Sequence, residues 1–430
     1  MGAMFTTSYQ PPATSAFPRI AVVSFPGNNC EVESMRAVKE AGMDALFFRW
    51  NDDREKLKDV DGYFIPGGFT YEDRGRSGMV AARDPLMDFI RQEAEQGKVV
   101  IGNCNGAQIL VESGLIPLGN GLQMSLARNA VETSDGWQAS GFLSEWVWIT
   151  PSCQPERCVT SDWKGVMHLP IAHGEGRFTT KDKDLIDELR KNDQIAFSYC
   201  DAEEKISMDP VVTPNGSMFA IAGICNSQGN VVALMPHPER SLEGGPYFVS
   251  VKRWIENKRK VERGKRKVRT DERSTGHLQS RTSRPLEIFI DTIITNNEER
   301  TVEKAARKYA PGIILKQWKY LSPTKGSLDE VLADLSIFNP NKERAFIRRS
   351  GTLYHWNSSA KREEKSTQTI LNGIALLRRD IPDTGASGLG EGSETGICYV
   401  CSGVEERLVM ETRVLQVFSN PHASTLERLH

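Results

Sequence analysis

A cysteine flanked by glycines is the clearest candidate for chemistry in this sequence. Gly102, Cys104 and Gly106 form a Gly-x-Cys-x-Gly motif between the apolar run Val99–Ile101 and a helical pattern. Small residues permit a tight strand-to-helix turn that presents the cysteine at the carboxyl end of a sheet, where a helix N-terminus stabilises a thiolate. The motif predicts that Cys104 is a nucleophile, with a buried structural cysteine as the alternative.

A nucleophilic cysteine needs a base, and the segment Met235-Pro-His-Pro-Glu-Arg240 follows another apolar run. Residues two apart in an extended segment point to the same side, so His237 and Glu239 can enter one cleft. Glu239 would orient the imidazole and His237 would relay the proton. His-Pro-Glu alone fits a solvated turn equally well, but together with the elbow it predicts a Cys-His-Glu triad.

Paired glycines at a third strand end predict an oxyanion hole. Gly67 and Gly68 lie in Ile65-Pro-Gly-Gly-Phe-Thr70, and glycines permit a backbone whose N–H groups face a developing negative charge. We expect the donors to be the N–H of Gly68, or of its neighbour Gly67, together with that of Asn105. An ordinary Pro-Gly-Gly turn is the alternative.

The elements that must position these residues alternate between strand and helix. Short apolar runs indicate buried parallel strands, and the intervening patterns have helical periodicity. From Phe142 to Met235, closely spaced strand patterns, Met218 to Ile224 among them, indicate a mixed extension of the sheet. The sequence predicts an α/β fold with a mixed, mainly parallel central sheet.

The length of 430 residues indicates more than one compact unit. We predict a disordered leader (1–18), an α/β domain (19–258), a basic linker (259–285) and a smaller C-terminal α+β domain of unknown role (286–430). In the last of these, Leu286 to Tyr320 has a strand-helix-strand rhythm. Cys398 and Cys401 could form half of a zinc site or a redox pair, but without a second Cys-x-x-Cys two ordinary thiols are favoured.

Composition excludes several classes of protein. The net charge of -2 argues against a protein that coats nucleic acid, and the basic run Lys252 to Arg284 has few aromatic residues for base stacking. No apolar stretch is long enough to span a membrane, and no secretory signal precedes the first strand. Eight sparse cysteines indicate reduced thiols, so we expect a cytoplasmic protein.

Several motifs, in the same order along the chain, resemble those of the glutaminase subunit of formylglycinamidine ribonucleotide synthetase. In this family the glutaminase and the ATP-dependent synthetase are separate chains. The cysteine elbow and the His-Pro-Glu motif are common to many class I glutamine amidotransferases. The opening motif Phe-Pro-Gly-Asn-Asn-Cys (Phe25–Cys30) and the motif Ala-His-Gly-Glu-Gly-Arg-Phe are particular to the purine family. The resemblance covers about the first 260 residues. The matching segments are Phe25–Cys30, Pro66–Tyr71, Gly102–Gln108, Arg128–Asn129, Pro170–Phe178, Pro214–Ser217, Ile221–Ile224, Asn226, Gly229–Val231 and Met235–Arg240.

This resemblance implies a flavodoxin-like domain that hydrolyses L-glutamine through a Cys104 thioester, with His237 and Glu239 completing the triad. Ammonia would pass to a synthetase chain that uses ATP and Mg²⁺ to make formylglycinamidine ribonucleotide in purine biosynthesis. This chain would need no metal or cofactor of its own, and it contains no Gly-x-x-x-x-Gly-Lys phosphate loop.

The resemblance also implies pocket residues. Gln108, Arg128 and Asn129 would line the glutamine pocket, whereas His173 and Glu175 would lie near the pocket or the synthetase interface, with a structural turn role equally open.

Two departures from the family concern the neighbouring loops. Glu72 stands where the family usually has glycine, and Ala130 to Gly141 is longer than the corresponding loop. Both departures concern the gating loop and the partner surface, and neither involves the triad.

Alternative functions are a glutaminase of another amidotransferase complex and a degenerate assembly scaffold, although the intact triad argues against the scaffold. Three-chain versions of the synthetase include a small bridging subunit of β-α-β-β-α-β type. Residues from about 286 onward could therefore dock the glutaminase onto its synthetase, but no particular motif supports this, and an unrelated appended domain is the favoured alternative.

Overall fold

The structure, a computed structural model, describes residues 17–261, 278–281 and 284–429. Two nine-stranded sheets organise them, one in the N-terminal unit (17–261) and one in the C-terminal unit (278–281 and 284–429). Most of the predicted leader and linker lies outside the described residues, so both remain predictions there. Within the predicted linker, however, Gln279–Ser280 form a strand that pairs into the C-terminal sheet. Among the residues described, no helix is long and apolar enough to cross a membrane.

The N-terminal unit alternates strands and helices in its first half. Its helices are α1 (Glu31–Glu40), α2 (Pro85–Glu95), α3 (Asn105–Glu112), α4 (Lys183–Lys191) and α5 (Gly245–Val261). Its strands are β1 (Arg19–Ser24), β2 (Asp44–Arg49), β3 (Gly62–Ile65), β4 (Val99–Asn103), β5 (Ser125–Arg128), β6 (Ala130–Thr133), β7 (Gly136–Ala139), β8 (Leu143–Pro151), β9 (Met167–His173), β10 (Glu175–Thr179), β11 (Ile195–Cys200), β12 (Ile221–Cys225) and β13 (Val231–Leu234).

The central sheet has the order β2-β1-β3-β4-β13-β12-β11-β8-β9. The first five strands are parallel, and the pairings from β13 to β9 are antiparallel. Strands β3, β4 and β13 are buried along their whole length, which explains why they appear in the sequence as continuous apolar runs. The predicted α/β fold with a mixed sheet is confirmed, and the carboxyl ends of β3, β4 and β13 meet at one edge.

Three details of the N-terminal unit differ from the sequence prediction. The predicted strand Met218 to Ile224 begins with a 3-10 turn, because Phe219 has a φ of 52° and the strand starts only at Ile221. Helix α4 interrupts the predicted series of strands and buries one apolar stripe. The long loop Ala130 to Gly141 is largely the hairpin formed by β6 and β7.

The C-terminal unit is built on the sheet β14-β22-β20-β21-β16-β15-β17-β18-β19. Its strands are β14 (Gln279–Ser280), β15 (Leu286–Thr292), β16 (Ile314–Ser322), β17 (Glu343–Arg349), β18 (Thr352–Asn357), β19 (Arg362–Lys365), β20 (Ile374–Asp380), β21 (Glu394–Ser402) and β22 (Ser424–Leu429). Its helices are α6 (Asn297–Arg307), α7 (Leu328–Ala333), α8 (Glu406–Val409) and α9 (Thr412–Phe418). The predicted strand-helix-strand order of β15, α6 and β16 is present, but β15 and β16 pair antiparallel.

The two cysteines of the C-terminal Cys-x-x-Cys sequence lie on β21. Residues three apart on a strand point to opposite faces, and Cys398 and Cys401 pack into different apolar clusters. Burial raises the pKa of both thiols. The zinc and redox-pair alternatives are therefore wrong, and these are two buried structural thiols.

Candidate active site

The candidate nucleophile lies in a strained turn between β4 and α3. Cys104 has φ 51° and ψ −108°, a backbone conformation that residues other than glycine rarely adopt. A Cβ on Gly106 would lie 1.9 Å from the carbonyl oxygen of Ile65, and one on Gly102 would lie 2.6 Å from the Gly106 backbone. Glycine is therefore required on both sides of the elbow, which places Cys104 at the carboxyl edge of the sheet.

His237 and Glu239 follow β13 at the same edge. His237 Nδ1 lies 2.6 Å from Glu239 Oε1, and Asn103 Nδ2 donates to Glu239 Oε2 at 2.8 Å. Both carboxylate oxygens are thus engaged, and the Tyr247 hydroxyl, which donates to Asn103 Oδ1 at 3.1 Å, orients the Asn103 amide. The sequence prediction placed His237 and Glu239 in an extended segment. Instead, a 3-10 turn at Pro238–Arg240 brings the carboxylate back to the imidazole.

Electrostatics favour a charged imidazole. Burial by itself lowers the pKa of His237, but the neighbouring Cys104 and Glu239 outweigh burial and hold it well above its usual value. His237 Nε2 is buried without a hydrogen-bond partner among the described residues. A positively charged His237 beside Cys104 is the arrangement that activates a cysteine nucleophile.

The candidate oxyanion donors lie beside this pair. A Cβ on Gly67 would come within 2.5 Å of His237 Cε1, and one on Gly68, whose φ is +147°, would lie 2.6 Å from Asn28 Cα. Asn105 is the first residue of α3, so its N–H has no acceptor within the helix. The positions of Gly67, Gly68 and Asn105 are compatible with the predicted hole, and which N–H groups donate remains a prediction.

Cys30 lies in the same site, although the sequence analysis gave it no role. Ligand-type atoms of Cys30, His237 and Glu239 lie within 4.8 Å of one another. Burial raises the pKa of the Cys30 thiol in spite of the nearby imidazole. The three could bind a soft cation, but only by disrupting the triad. The sequence signal that could have drawn attention to Cys30 was its position at the end of the family motif Phe25–Cys30.

A buried polar network connects the elbow to the loop after β3. Asn105 Oδ1 accepts from the Thr70 N–H at 3.1 Å, and Asn105 Nδ2 donates to Gln108 Oε1 at 2.7 Å and to Asp73 Oδ1 at 3.3 Å. Gln108 Nε2 in turn donates to the Glu175 carbonyl. The predicted pocket residue Gln108 is therefore buried beside the elbow, but its amide is engaged within the protein.

Two carboxyl groups, Asp73 and Glu175, belong to this network. Burial, with the help of the nearby Glu175 charge, raises the pKa of Asp73 to about 7. Burial also raises the pKa of Glu175, whose side chain accepts from the Ser77 N–H at 2.9 Å. No sequence motif singled out Asp73, because its role depends on contacts made across the fold.

Comparison with known proteins assigns this arrangement to a family. Residues 17–264 match the family described as the CobB/CobQ-like glutamine amidotransferase domain. The chain belongs to that family. Phosphoribosylformylglycinamidine synthase subunit PurQ of Methanothrix thermoacetophila is 42% identical over 260 residues, which are 56% of this chain and 99% of the relative. The corresponding subunit of Pyrococcus furiosus is 36% identical over 245 residues, with 55% and 98% covered.

Among solved structures, the chain is similar to one described as PurLQS from Thermotoga maritima, at 30% identity and a TM-score of 0.43, covering 56% of this chain and 99% of that chain. The family match ends at residue 264, so the C-terminal sheet of this amidotransferase lies beyond it.

Arg128 and Asn129, the other predicted pocket residues of the amidotransferase domain, differ in environment. Arg128 is largely exposed, and its Nε lies 3.4 Å from Asp380 Oδ2 of the C-terminal unit. Asn129 is buried, with Nδ2 donating to the carbonyls of Gly141 and His173 and Oδ1 accepting from the Gly176 N–H. Asn129 thus organises the turn through its side-chain amide, both of whose N–H groups donate within the protein. A contact of Asn129 with glutamine remains a prediction.

His173 ends β9, next to the Ala172 carbonyl oxygen that lies 3.6 Å from Cys104 Sγ. Its ring packs against Gly176, where a Cβ would lie 2.1 Å from Cε1. Burial, followed by the proximity of His237, lowers the pKa of His173 to about 3, so the ring is neutral. Neither ring nitrogen has a hydrogen-bond partner among the described residues. A substrate contact by His173 remains a prediction.

Glu72, the family departure, lies in the middle of three consecutive residues with positive φ. Tyr71, Glu72 and Asp73 have φ values of 54°, 58° and 52°. Glycine adopts this conformation without steric cost, so the glycine expected here from the family resemblance would fit this backbone without strain.

Proposed function

We propose that the chain is the glutaminase subunit of phosphoribosylformylglycinamidine synthase, which hydrolyses L-glutamine and delivers ammonia to an ATP-dependent synthetase. The observation that carries the proposal is the buried triad of Cys104, His237 and Glu239 at the carboxyl edge of the sheet. The relatives that match over nearly their whole length are named as subunits of this synthase, which favours it over another amidotransferase complex.

In the proposed mechanism the Cys104 thiolate attacks the carboxamide carbon of glutamine. The N–H of Asn105 and that of Gly68 or Gly67 stabilise the resulting oxyanion. Charged His237 donates its Nε2 proton to the leaving nitrogen, and ammonia departs from a glutamyl thioester. Neutral His237 then removes a proton from water, which hydrolyses the thioester and restores the Cys104 thiolate. Glu239 orients the imidazole and stabilises its charged form throughout.

The partner in this proposal is a synthetase chain that carries ATP and Mg²⁺ and uses the ammonia to convert formylglycinamide ribonucleotide into formylglycinamidine ribonucleotide. Residues 286–430 are candidates for docking onto that synthetase or for the role of a small bridging subunit. A cytoplasmic location is part of the same proposal, because nucleotide substrates and eight free thiols suit a reducing compartment.

The decisive experiment replaces the nucleophile. Cys104→Ser should reduce glutamine hydrolysis by at least about a thousandfold, while the complex with its synthetase still makes product from ammonium salts. Cys200→Ser is the matched control, because Cys200 is a buried thiol of the same sheet, and it should retain hydrolysis. Substantial glutamine hydrolysis by Cys104→Ser would exclude the proposal.

A further inference from the structure

The loop between β3 and α2, residues 66–83 and here called the pocket loop, has two differently occupied sides. Its inner side faces the elbow: the Thr70 N–H donates to Asn105 Oδ1, and the Ser77 N–H donates to Glu175 Oε2. A Cβ on Gly78 would lie 2.7 Å from the backbone of Gln108. The loop therefore forms a wall of the site in which glutamine must bind.

The outer side of the pocket loop is held by the C-terminal unit. Arg378 Nη1 donates to the Gly75 carbonyl oxygen at 2.7 Å. Arg76 Nη1 donates to the Val417 carbonyl oxygen at 3.0 Å, and Arg83 Nη2 donates to that of Gln416 at 2.7 Å. These bonds connect 3 of the loop's residues to strand β20 and helix α9.

An apolar contact and a buried ion pair reinforce this attachment. The fully buried Met79 packs into a core cluster whose other buried members belong to the C-terminal unit. Arg76 also forms a bidentate pair with Glu112 of the nucleophile helix α3, at 2.7 and 2.9 Å. Asn420 of the C-terminal unit donates to the same Glu112 carboxylate at 2.9 Å. The attachment therefore reaches the helix that directly follows Cys104.

The attachment acts on only part of the loop. The glycine end is fixed by the N-terminal unit, because the Phe69 N–H donates to the Gly27 carbonyl at 2.9 Å and Asn28 forms a bridge with Gly68. Between the two anchors lie Tyr71, Glu72 and Asp73 in left-handed conformations, which persist only where the surroundings over-determine them. The C-terminal unit therefore controls the glutamine-facing wall and leaves the oxyanion glycines to the N-terminal unit.

We propose that the C-terminal unit is a built-in part of the glutamine site, which holds the pocket loop in its binding conformation, with Arg378 and Arg76 as positioning residues. This inference rests on the proposed glutaminase function. Because the attachment acts on the pocket wall and not on the oxyanion glycines, losing it weakens glutamine binding while the chemical step is preserved.

The test measures how a glutamine-analogue diazoketone alkylates Cys104 in the full-length chain, which separates binding (KI) from chemistry (kinact). Arg378→Gln removes the bond to Gly75 together with the 3.2 Å pair to Asp380 within the C-terminal unit. The loss of the loop contact should raise KI about tenfold, as expected for one charged hydrogen bond, with kinact within about twofold of wild type. Arg378→Lys retains a cationic donor and should recover most of the affinity.

Arg348→Gln is the matched control. Arg348 is a largely buried arginine of the same sheet, but it pairs with Glu287 and not with the pocket loop. It should leave KI unchanged even where it lowers stability as much as Arg378→Gln does. An unchanged KI in Arg378→Gln, or an equal rise in both variants, would overturn the proposal.

A second measurement does not depend on activity. Amide hydrogen exchange across residues 71–83 should accelerate in Arg378→Gln and not in Arg348→Gln; equal protection in both would overturn the proposal. If Arg378→Gln does not fold, Thr301→Val replaces it, since it removes the 2.9 Å bond from Arg74 at the loop's outer edge. A KI raised about twofold or more supports the proposal, and an unchanged KI overturns it.

These outcomes are distinct from failure of the glutaminase proposal. In that case the wild-type chain would not be alkylated at all, or Cys104→Ser would be alkylated equally well.

Discussion

At the scale of single residues, the chemistry depends on a few side chains whose charge state the fold sets. The grouping of Cys104, His237 and Glu239 was predictable because each follows a strand end within a short motif, and parallel neighbouring strands bring such ends to one edge. Cys30 and Asp73 were not assigned roles, because their importance comes from burial next to groups distant in sequence. Asn129 was predicted to line the glutamine pocket, and that contact remains a prediction, but the backbone groups that engage its amide could not be read from the sequence.

Asp73 provides a pH-dependent prediction at this scale. Its pKa is raised to about 7 in the folded chain, so folding retains a proton that the unfolded chain releases near pH 4. The Asp73 carboxyl therefore lowers the free energy of unfolding increasingly as the pH rises from about 4 to 7. Above pH 7 this loss of stability is constant. Asp73→Asn should therefore stabilise the protein at pH 8, by about 1 kcal/mol or more, and less at pH 5. Asparagine tolerates the same left-handed backbone.

Urea unfolding of wild type and Asp73→Asn at several pH values measures this difference. Asp52→Asn is the control, because Asp52 is half-buried at the surface, where a backbone hydrogen bond from Arg49 and the neighbouring Lys56 lower its pKa instead of raising it. A difference for Asp73→Asn that stays constant from pH 4 to 8 would contradict the raised pKa of this half-buried carboxyl.

At the scale of elements, the sequence predicted what depends on burial and missed what depends on backbone conformation. Strands β3, β4 and β13 were recognisable because both of their faces are covered. The turn at Met218–Ala220 was predicted as strand because its apolar residues are compatible with either structure, and the positive φ of Phe219 and Ala220 separates the two. Much of the C-terminal sheet was unreadable because strands such as β19, with four charged residues, lack an apolar run.

The pocket loop allows a prediction about backbone strain. Glu72→Gly removes the side chain from a left-handed position, which should stabilise the protein by about 0.5–1 kcal/mol after the greater freedom of glycine in the unfolded chain is subtracted. Glu188→Gly is the control, because Glu188 is exposed in the middle of α4, where glycine should cost about 1 kcal/mol. Urea midpoints should move in opposite directions, and a destabilised Glu72→Gly would show that this backbone is not strained.

At the scale of the whole molecule, the two units share a core and a set of buried charges. The family match ends before the C-terminal sheet, and the PurQ relatives are matched over 98–99% of their length without it. In this chain, however, the pocket loop presents apolar and charged residues that the C-terminal unit covers. No sequence pattern revealed this, because Met79 and Arg76 become an interface only when two distant segments pack together.

Met79 yields a prediction that separates a shared core from a loosely appended domain. In the full-length chain Met79 is fully buried against the C-terminal unit, so Met79→Lys places an unpaired charge in a core and should destabilise the protein by about 2–4 kcal/mol. In a chain that ends at Val261 the same position becomes an exposed apolar residue beside Arg76 and Arg83, and lysine should there raise the soluble fraction. The substitution should thus have opposite effects in the two contexts, measured as urea midpoint in the first and soluble yield in the second. An equal effect in both, or none in the full-length chain, would show that the C-terminal unit does not cover this loop in solution.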